Sequence, residues 1–216
     1  SALENLQIKG FAMRTDMNDD GTLNGNDDLL VLDEDSTLNV KKTYNNAKML
    51  LHRTFTKNAT NDKKGWNSII LPVDMTAAQV NEAFGEGTQL AKFNALEDNW
   101  IKFSTVNVAG DNVVLEKNTP YIIYATKEPL GNYSYTIDRE TKTLNGPVYV
   151  VNGINYDNET SNLTHTVNGG GMTFTGSYSS QTAVSKDSYM FSKGDLVHTN
   201  KTHTVKAYRC WLKENT

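Results

Sequence analysis

The strongest constraint on this chain is its recurring short apolar runs, rich in β-branched and aromatic residues and closed at each end by turn formers. Thr119-Pro120-Tyr121-Ile122-Ile123-Tyr124-Ala125 and Gly146-Pro147-Val148-Tyr149-Val150-Val151-Asn152 are of this kind, short and continuous as strands buried on both faces are. Trp100-Ile101-Lys102-Phe103-Ser104-Thr105-Val106 instead alternates, with Ile101, Phe103 and Thr105 on one face and Lys102, Ser104 and Val106 on the other, because successive side chains of a strand point to opposite sides. Further runs at 7–13, 29–32, 36–40, 47–56, 68–71, 113–115, 134–138, 171–178, 188–191 and 204–212 read as strands. They recur about every 8–15 residues with turn signals between them, the spacing of a sandwich or barrel. The pattern predicts an all-β chain of sandwich-like, mostly antiparallel sheets.

One segment follows a different period. Thr76-Ala77-Ala78-Gln79-Val80-Asn81-Glu82-Ala83-Phe84-Gly85 opens on a Thr N-cap with Gln three residues later, sets Val80, Ala83 and Phe84 at helical spacing, and stops at Gly. It predicts one short helix over about 76–84 that covers core. Around 57–65 the chain is polar and charged, without large apolar side chains, and reads as a loop. The chain is therefore read as a single β-rich unit, 1–216, with N-terminal strands 1–60 and a main sandwich 65–216 as the alternative subdivision.

Composition narrows the function. The 21 basic and 25 acidic side chains give a net charge of −4, so no basic field exists to attract phosphates, and nucleic acid is excluded as an expected partner. No run of 18 apolar residues is present, so this segment is not expected to insert into a membrane. The single Cys210 allows no intrachain disulfide and no Cys-based metal cluster. It sits in a Tyr/Trp-rich strand and reads as a small buried apolar side chain. Asn and Thr, 25 of each, suit turns and strands respectively. By compositional analogy with exported bacterial β proteins they place the protein outside the cell or on its surface, although the sequence opens Ser1-Ala2-Leu3-Glu4 without a charged-then-apolar leader.

The sharpest chemical motif is Asp16-Met17-Asn18-Asp19-Asp20-Gly21-Thr22-Leu23-Asn24-Gly25-Asn26-Asp27. Asp16, Asn18, Asp20, Thr22, Asn24 and Asp27 offer oxygens at the spacing of a calcium loop, and Gly21 supplies the sharp turn such a loop needs. The expected cofactor is structural Ca²⁺; the competing reading is that Asp-Asp-Gly and Asn-Gly close a polar β-turn. The loop resembles one half of a dockerin-type calcium repeat, Asp-x-Asn-x-Asp-Gly-x-x-Asn-x-x-Asp, with no second copy.

A longer resemblance runs from about 45 to 212. Leu50-Leu51-His52-Arg53-Thr54-Phe55, Trp66-Asn67-Ser68-Ile69-Ile70-Leu71-Pro72-Val73-Asp74-Met75, Ala83-Phe84-Gly85-Glu86-Gly87-Thr88, Thr119-Pro120-Tyr121-Ile122-Ile123, Thr175-Gly176-Ser177-Tyr178 and Lys206-Ala207-Tyr208-Arg209-Cys210-Trp211-Leu212 are, in this order, similar to a β-rich module of large extracellular proteins of Bacteroides and Prevotella relatives. The closing piece departs from that pattern in the position of its Arg. The resemblance implies a secreted or surface-borne, adhesion-like module and carries over no catalytic residue.

Motifs of the common hydrolases, nucleotide-binding proteins and zinc proteases are absent from the sequence. His198 and His203 flank an expected hairpin turn but lack a third zinc ligand and read as solvated turn residues. Stacking on sugars is the remaining binding chemistry, with Trp66, Trp100, Trp211, Tyr121, Tyr124, Tyr133, Tyr135, Tyr149 and Tyr156 as its pool. Most of these are expected in the core; Tyr133 and Tyr156, set among Gly, Asn and Asp, are the ligand-binding candidates expected to be exposed. The functional expectation is a non-catalytic extracellular interaction or adhesion module with a glycan or protein partner. A carbohydrate-binding module using exposed aromatics is the second reading, and a glycan-active hydrolase the third.

Overall fold

The computed structural model describes residues 28–56, 65–137 and 140–215. In chain order the elements are β1 (Leu29–Asp33), β2 (Tyr44–His52), β3 (Asn67–Ile69), β4 (Met75–Thr76), α1 (Ala77–Phe84), β5 (Gln89–Glu97) and β6 (Trp100–Val106). They continue with β7 (Val113–Leu115), β8 (Tyr121–Tyr124), β9 (Tyr133–Ile137), β10 (Glu140–Leu144), β11 (Val148–Tyr156) and β12 (Thr164–Gly169). The last are β13 (Met172–Ser177), β14 (Thr182–Val184), β15 (Ser188–Ser192), β16 (Asp195–His198), β17 (His203–Val205) and β18 (Arg209–Glu214). The fold is the expected all-β one, with a single helix among the described residues.

Three sheets carry the architecture. A four-stranded antiparallel sheet runs β3-β8-β5-β6, and a five-stranded antiparallel sheet runs β12-β13-β18-β15-β16. A third sheet, β1-β2-β11, pairs β1 parallel to β2 and β11 antiparallel to it. Hairpin β9–β10 and the short ladders β4–β7 and β14–β17 complete the set. One continuous core runs from Leu30 to Leu212 and takes side chains from all three sheets and from α1.

Local chemistry accounts for the elements. Thr76 caps α1 by accepting the Gln79 N–H, while the Gln79 side chain accepts the Thr76 N–H at 2.9 Å, the reciprocal box read from the sequence. Ala77, Val80, Ala83 and Phe84 are its buried face, and the helix lies against β11, β4 and β7 as a cover. Gly85 ends it at φ 104°, its N–H donating to the Asn81 carbonyl. Pro72 follows edge strand β3, and Pro120 precedes the central strand β8, so neither removes a ladder donor. Gly169 and Gly170 close the β12–β13 hairpin hard against β5. A Cβ at these positions would stand 1.9 Å from the Asn94 carbonyl oxygen and 2.1 Å from that of Leu96, so only glycine permits the approach.

Several expectations are corrected. Residues 36–40 form no strand; they belong to the connection between β1 and β2, where the buried Leu38 donates its N–H to the Tyr178 carbonyl at 2.9 Å. The run 204–212 is broken into β17 and β18 by a turn at Tyr208, whose φ is 63°. The run 47–56 leaves the ladder after His52, where Arg53 turns inward. The strand expected at 7–13 lies outside the described residues.

Candidate functional site

The end of the β1-β2-β11 sheet concentrates the charge chemistry of the molecule. Period two puts Leu30, Leu32, Met49 and Leu51 on the inner face, and the same phase delivers Glu34 and Arg53 to the interior at 1% and 2% exposure. Two such charges are tolerable only with partners. The Glu34 carboxylate takes the Thr54 N–H at 2.9 Å and the Thr54 hydroxyl at 2.8 Å, and lies 3.0 Å from Arg209 Nη2, 3.3 Å from Lys206 Nζ and 3.7 Å from Arg53 Nη1. Arg53 also donates to the Thr54 and Ser68 carbonyls and lies over the Phe55 ring. Burial by itself raises the carboxyl pKa of Glu34, but Arg209, Arg53 and the Thr54 hydrogen bonds outweigh it and hold the group at about 2. Burial, and then the Arg209 charge, pull the Arg53 guanidinium down to about 9, with Glu34 opposing. Both are therefore ionised at neutral pH. Lys206 and Arg209 stand on either side of the turn at Tyr208, and both reach Glu34.

The outer face of the same strands carries Leu29, Val31 and Asp33 beside Lys48, Leu50 and His52. Hairpin β9–β10 covers it, and Leu29, Leu50, Leu144 and Val148 make a small second core under Tyr133 and Tyr135. Asp33 and His52 are register partners, with His52 Nδ1 2.7 Å from Asp33 Oδ1 and 3.8 Å from Asp35 Oδ2. Burial pushes the Tyr135 phenol up and the Asp33 carboxylate adds to it, so this pair adjoins the hairpin. Tyr133 and Tyr135 line a cavity of about 210 Å³ together with Lys48, Thr136 and Thr141.

The β5–β6 hairpin presents a different surface. Asp98 and Asn99 form its two-residue loop with φ of 51° and 62°, and Glu97 pairs with Trp100; two positive φ values make the type I′ turn whose twist matches the strands. Trp100 stands beside this turn at 73% exposure, with Glu97 and Lys102 ion-paired nearby. A fourth surface, a cavity of about 260 Å³, holds Asp74 and Asp157. Both are engaged by Lys117, Asp74 through the backbone N–H at 2.7 Å and Asp157 through the ammonium at 2.9 Å.

Comparison with protein-family models, curated proteins and solved structures finds no match to this chain. The site must be read from its own geometry.

Of the residues singled out from the sequence, Asp16, Asn18, Asp20, Thr22, Asn24 and Asp27 lie outside the described residues. Tyr133 is half-buried at the mouth of a cavity. Tyr156 is not exposed as expected: it is 1% exposed, in phase with the buried Ile154, donating to the Val40 carbonyl at 2.7 Å and accepting the Glu159 N–H. Its polar neighbours fill the outward positions of the strand, which is why composition misled. Tyr121 and Tyr149 are core, as expected. His198 and His203 fall on strands of different sheets, β16 against β15 and β17 against β14, and do not share a hairpin. Cys210 is buried, and burial pushes its thiol well up, so it stays protonated. No helix of the described residues is long and apolar enough to cross a membrane. Glu34, Asp33, Asp35 and His52 were missed as site residues. Their signal was phase: a charge at the next inward or outward step of an apolar run.

Proposed function

We propose that this protein is a non-catalytic interaction or adhesion module of an extracellular bacterial surface protein, and that it meets its partner through the β5–β6 tip. One observation carries the reading: Trp100 is 73% exposed beside the two-residue turn of a paired hairpin. Trp is the residue type most often found as an interface anchor, and a preorganised anchor binds with less ordering cost. The buried, protonated Cys210 thiol and the lysine-engaged Asp74 and Asp157 fit a binding role better than a catalytic one. The calcium loop at 16–27 belongs to this reading as a structural device, checked by comparing thermal midpoints in excess calcium and in chelator, where occupancy requires a shift.

Tyr133 and Tyr135 support a second reading, a glycan site, since two aromatic faces beside Lys48 and threonine hydroxyls match the apolar and hydroxyl sides of a sugar. The two are separated by solid-phase binding of the purified protein to a panel of extracellular-matrix proteins and to a glycan array. Trp100→Ala should weaken protein binding by about 30-fold, the loss of a hot spot. Glycan retention lost on Tyr133→Ala but kept in Trp100→Ala would transfer the function to the hairpin groove. Binding untouched by either substitution removes both.

A further inference from the structure

The outer end of β1 and β2 brings together a mixed set of donor atoms that the interaction reading does not use. Asp33 and His52 face each other across the parallel pair, and Asp35 follows in the turn. One carboxylate oxygen of Asp33, one of Asp35 and an imidazole nitrogen of His52 lie within 4.8 Å of one another. We propose that Asp33, Asp35 and His52 hold a divalent transition-metal ion of the zinc class.

The arrangement is specific in three respects. The His52 side chain is 9% exposed, and its Nδ1 is turned toward both carboxylates, at 2.7 Å from Asp33 and 3.8 Å from Asp35. Metal–ligand bonds of about 2.0–2.2 Å to Zn²⁺ require donor atoms roughly 3–3.5 Å apart; the two imidazole–carboxylate distances bracket that value, and all three donors lie within 4.8 Å of one another. The second oxygen of Asp35 is already held, and the turn that carries both carboxylates is fixed by a hydrogen bond to Asp33. Lys206 Nζ sits 2.7 Å from Asp35 Oδ1 and leaves Oδ2 toward the imidazole, and the Asp35 N–H donates to Asp33 Oδ1, fixing the turn. Glu34, between the two ligands in sequence, points to the opposite face and is committed to Arg209 and Thr54, so it does not compete.

The donor set selects the metal. An imidazole nitrogen with two carboxylates suits zinc and its neighbours, whereas calcium takes six to eight oxygens. Asp33 and Asp35 side chains are 28% and 53% exposed, so the ion enters from solvent and keeps a water-filled open position. Binding clamps the turn after β1 to the end of β2.

The test is calorimetric titration of the full chain with ZnCl₂, repeated with CaCl₂ and followed by thermal melts. One site should fill at micromolar zinc, and His52→Gln and Asp35→Ala should each weaken it at least tenfold, the minimum for removing a ligand when supporting groups alone are worth about 10–100-fold. Asp35 is half-exposed, so its variant keeps the fold testable if His52→Gln does not. His198→Gln, at an exposed imidazole elsewhere, and Asp20→Asn, in the calcium-loop motif, should leave the zinc isotherm unchanged. Zinc affinity equal in wild type, His52→Gln and Asp35→Ala overturns the assignment, as does no heat of binding at about 100 μM zinc.

Discussion

The two faces of the β1-β2-β11 sheet are built from the same strands and end in opposite ways. Inward, Leu30, Leu32, Met49, Leu51, Tyr149 and Val151 enter the main core, and the run closes on Glu34 and Arg53, both sealed from water. Outward, Leu29, Leu50 and Val148 lie under a single hairpin, and the run closes on the part-exposed Asp33 and the nearly buried His52. The inner charges are expensive to bury and are met by one another and by Thr54, with Arg53 Nε and Arg209 Nη1 left without a hydrogen-bond partner; the outer Asp33 and Asp35 carboxylates stay within reach of solvent ions. A two-residue period thus separates a structural ionic knot from a candidate ligand site by one step along the chain.

The comparison is broken most severely at the inner end. Arg53→Met leaves Glu34 with less compensation and the Ser68 carbonyl without its donor, and should cost about 3–5 kcal/mol in urea unfolding. A double variant that also carries Glu34→Gln should recover part of that loss, because the penalty comes from the unpaired charge. Leu51→Ala on the inner face should cost about 3–5 kcal/mol. Leu50→Ala on the outer face should cost about 2–3, since the hairpin can settle into the gap. Equal costs would make the two cores equivalent.

Acid sharpens the contrast next. Glu34 has its folded pKa lowered from 4.5 to about 2, so its contribution is complete above about 4.5 and disappears as pH falls toward 2. Glu34→Gln should lower stability at neutral pH and flatten the acid limb of the stability curve relative to wild type. Tyr135→Ala should cost about 1–2 kcal/mol, with faster amide exchange confined to β9–β10 and their cover while β13 and β18 stay protected. At the smallest end, Trp100→Ala should change stability by less than about 0.5 kcal/mol, which makes it a clean probe of binding.

Local signals were the legible part of this fold. The α1 box needs only Thr76 and Gln79, three residues apart, and the strands β8 and β11 announce themselves by continuous β-branched runs after Pro120 and Pro147. β5 escaped notice because its alternation is broken by a bulge between Phe93 and Ala95, and β16 because its residues are exposed. The parallel β1–β2 pairing and the sheet orders are set by distant contacts and left no local trace. The ionic knot was half legible: Glu34 in phase with Leu30 and Leu32, and Arg53 in phase with Met49 and Leu51, were readable as inward charges. That they belong together, with Arg209, depended on the third dimension.

The same knot dictates an order of assembly. Lys206 lies 172 positions beyond Glu34, and closing so long a loop is slow. During synthesis at about 5–20 residues per second, Arg53 follows the acidic turn closely, while Lys206 and Arg209 follow it on the order of ten seconds later. A lone carboxylate cannot enter an apolar interior. The knot therefore stays incomplete until Lys206 and Arg209 arrive, and β18 fixes the turn that follows β1.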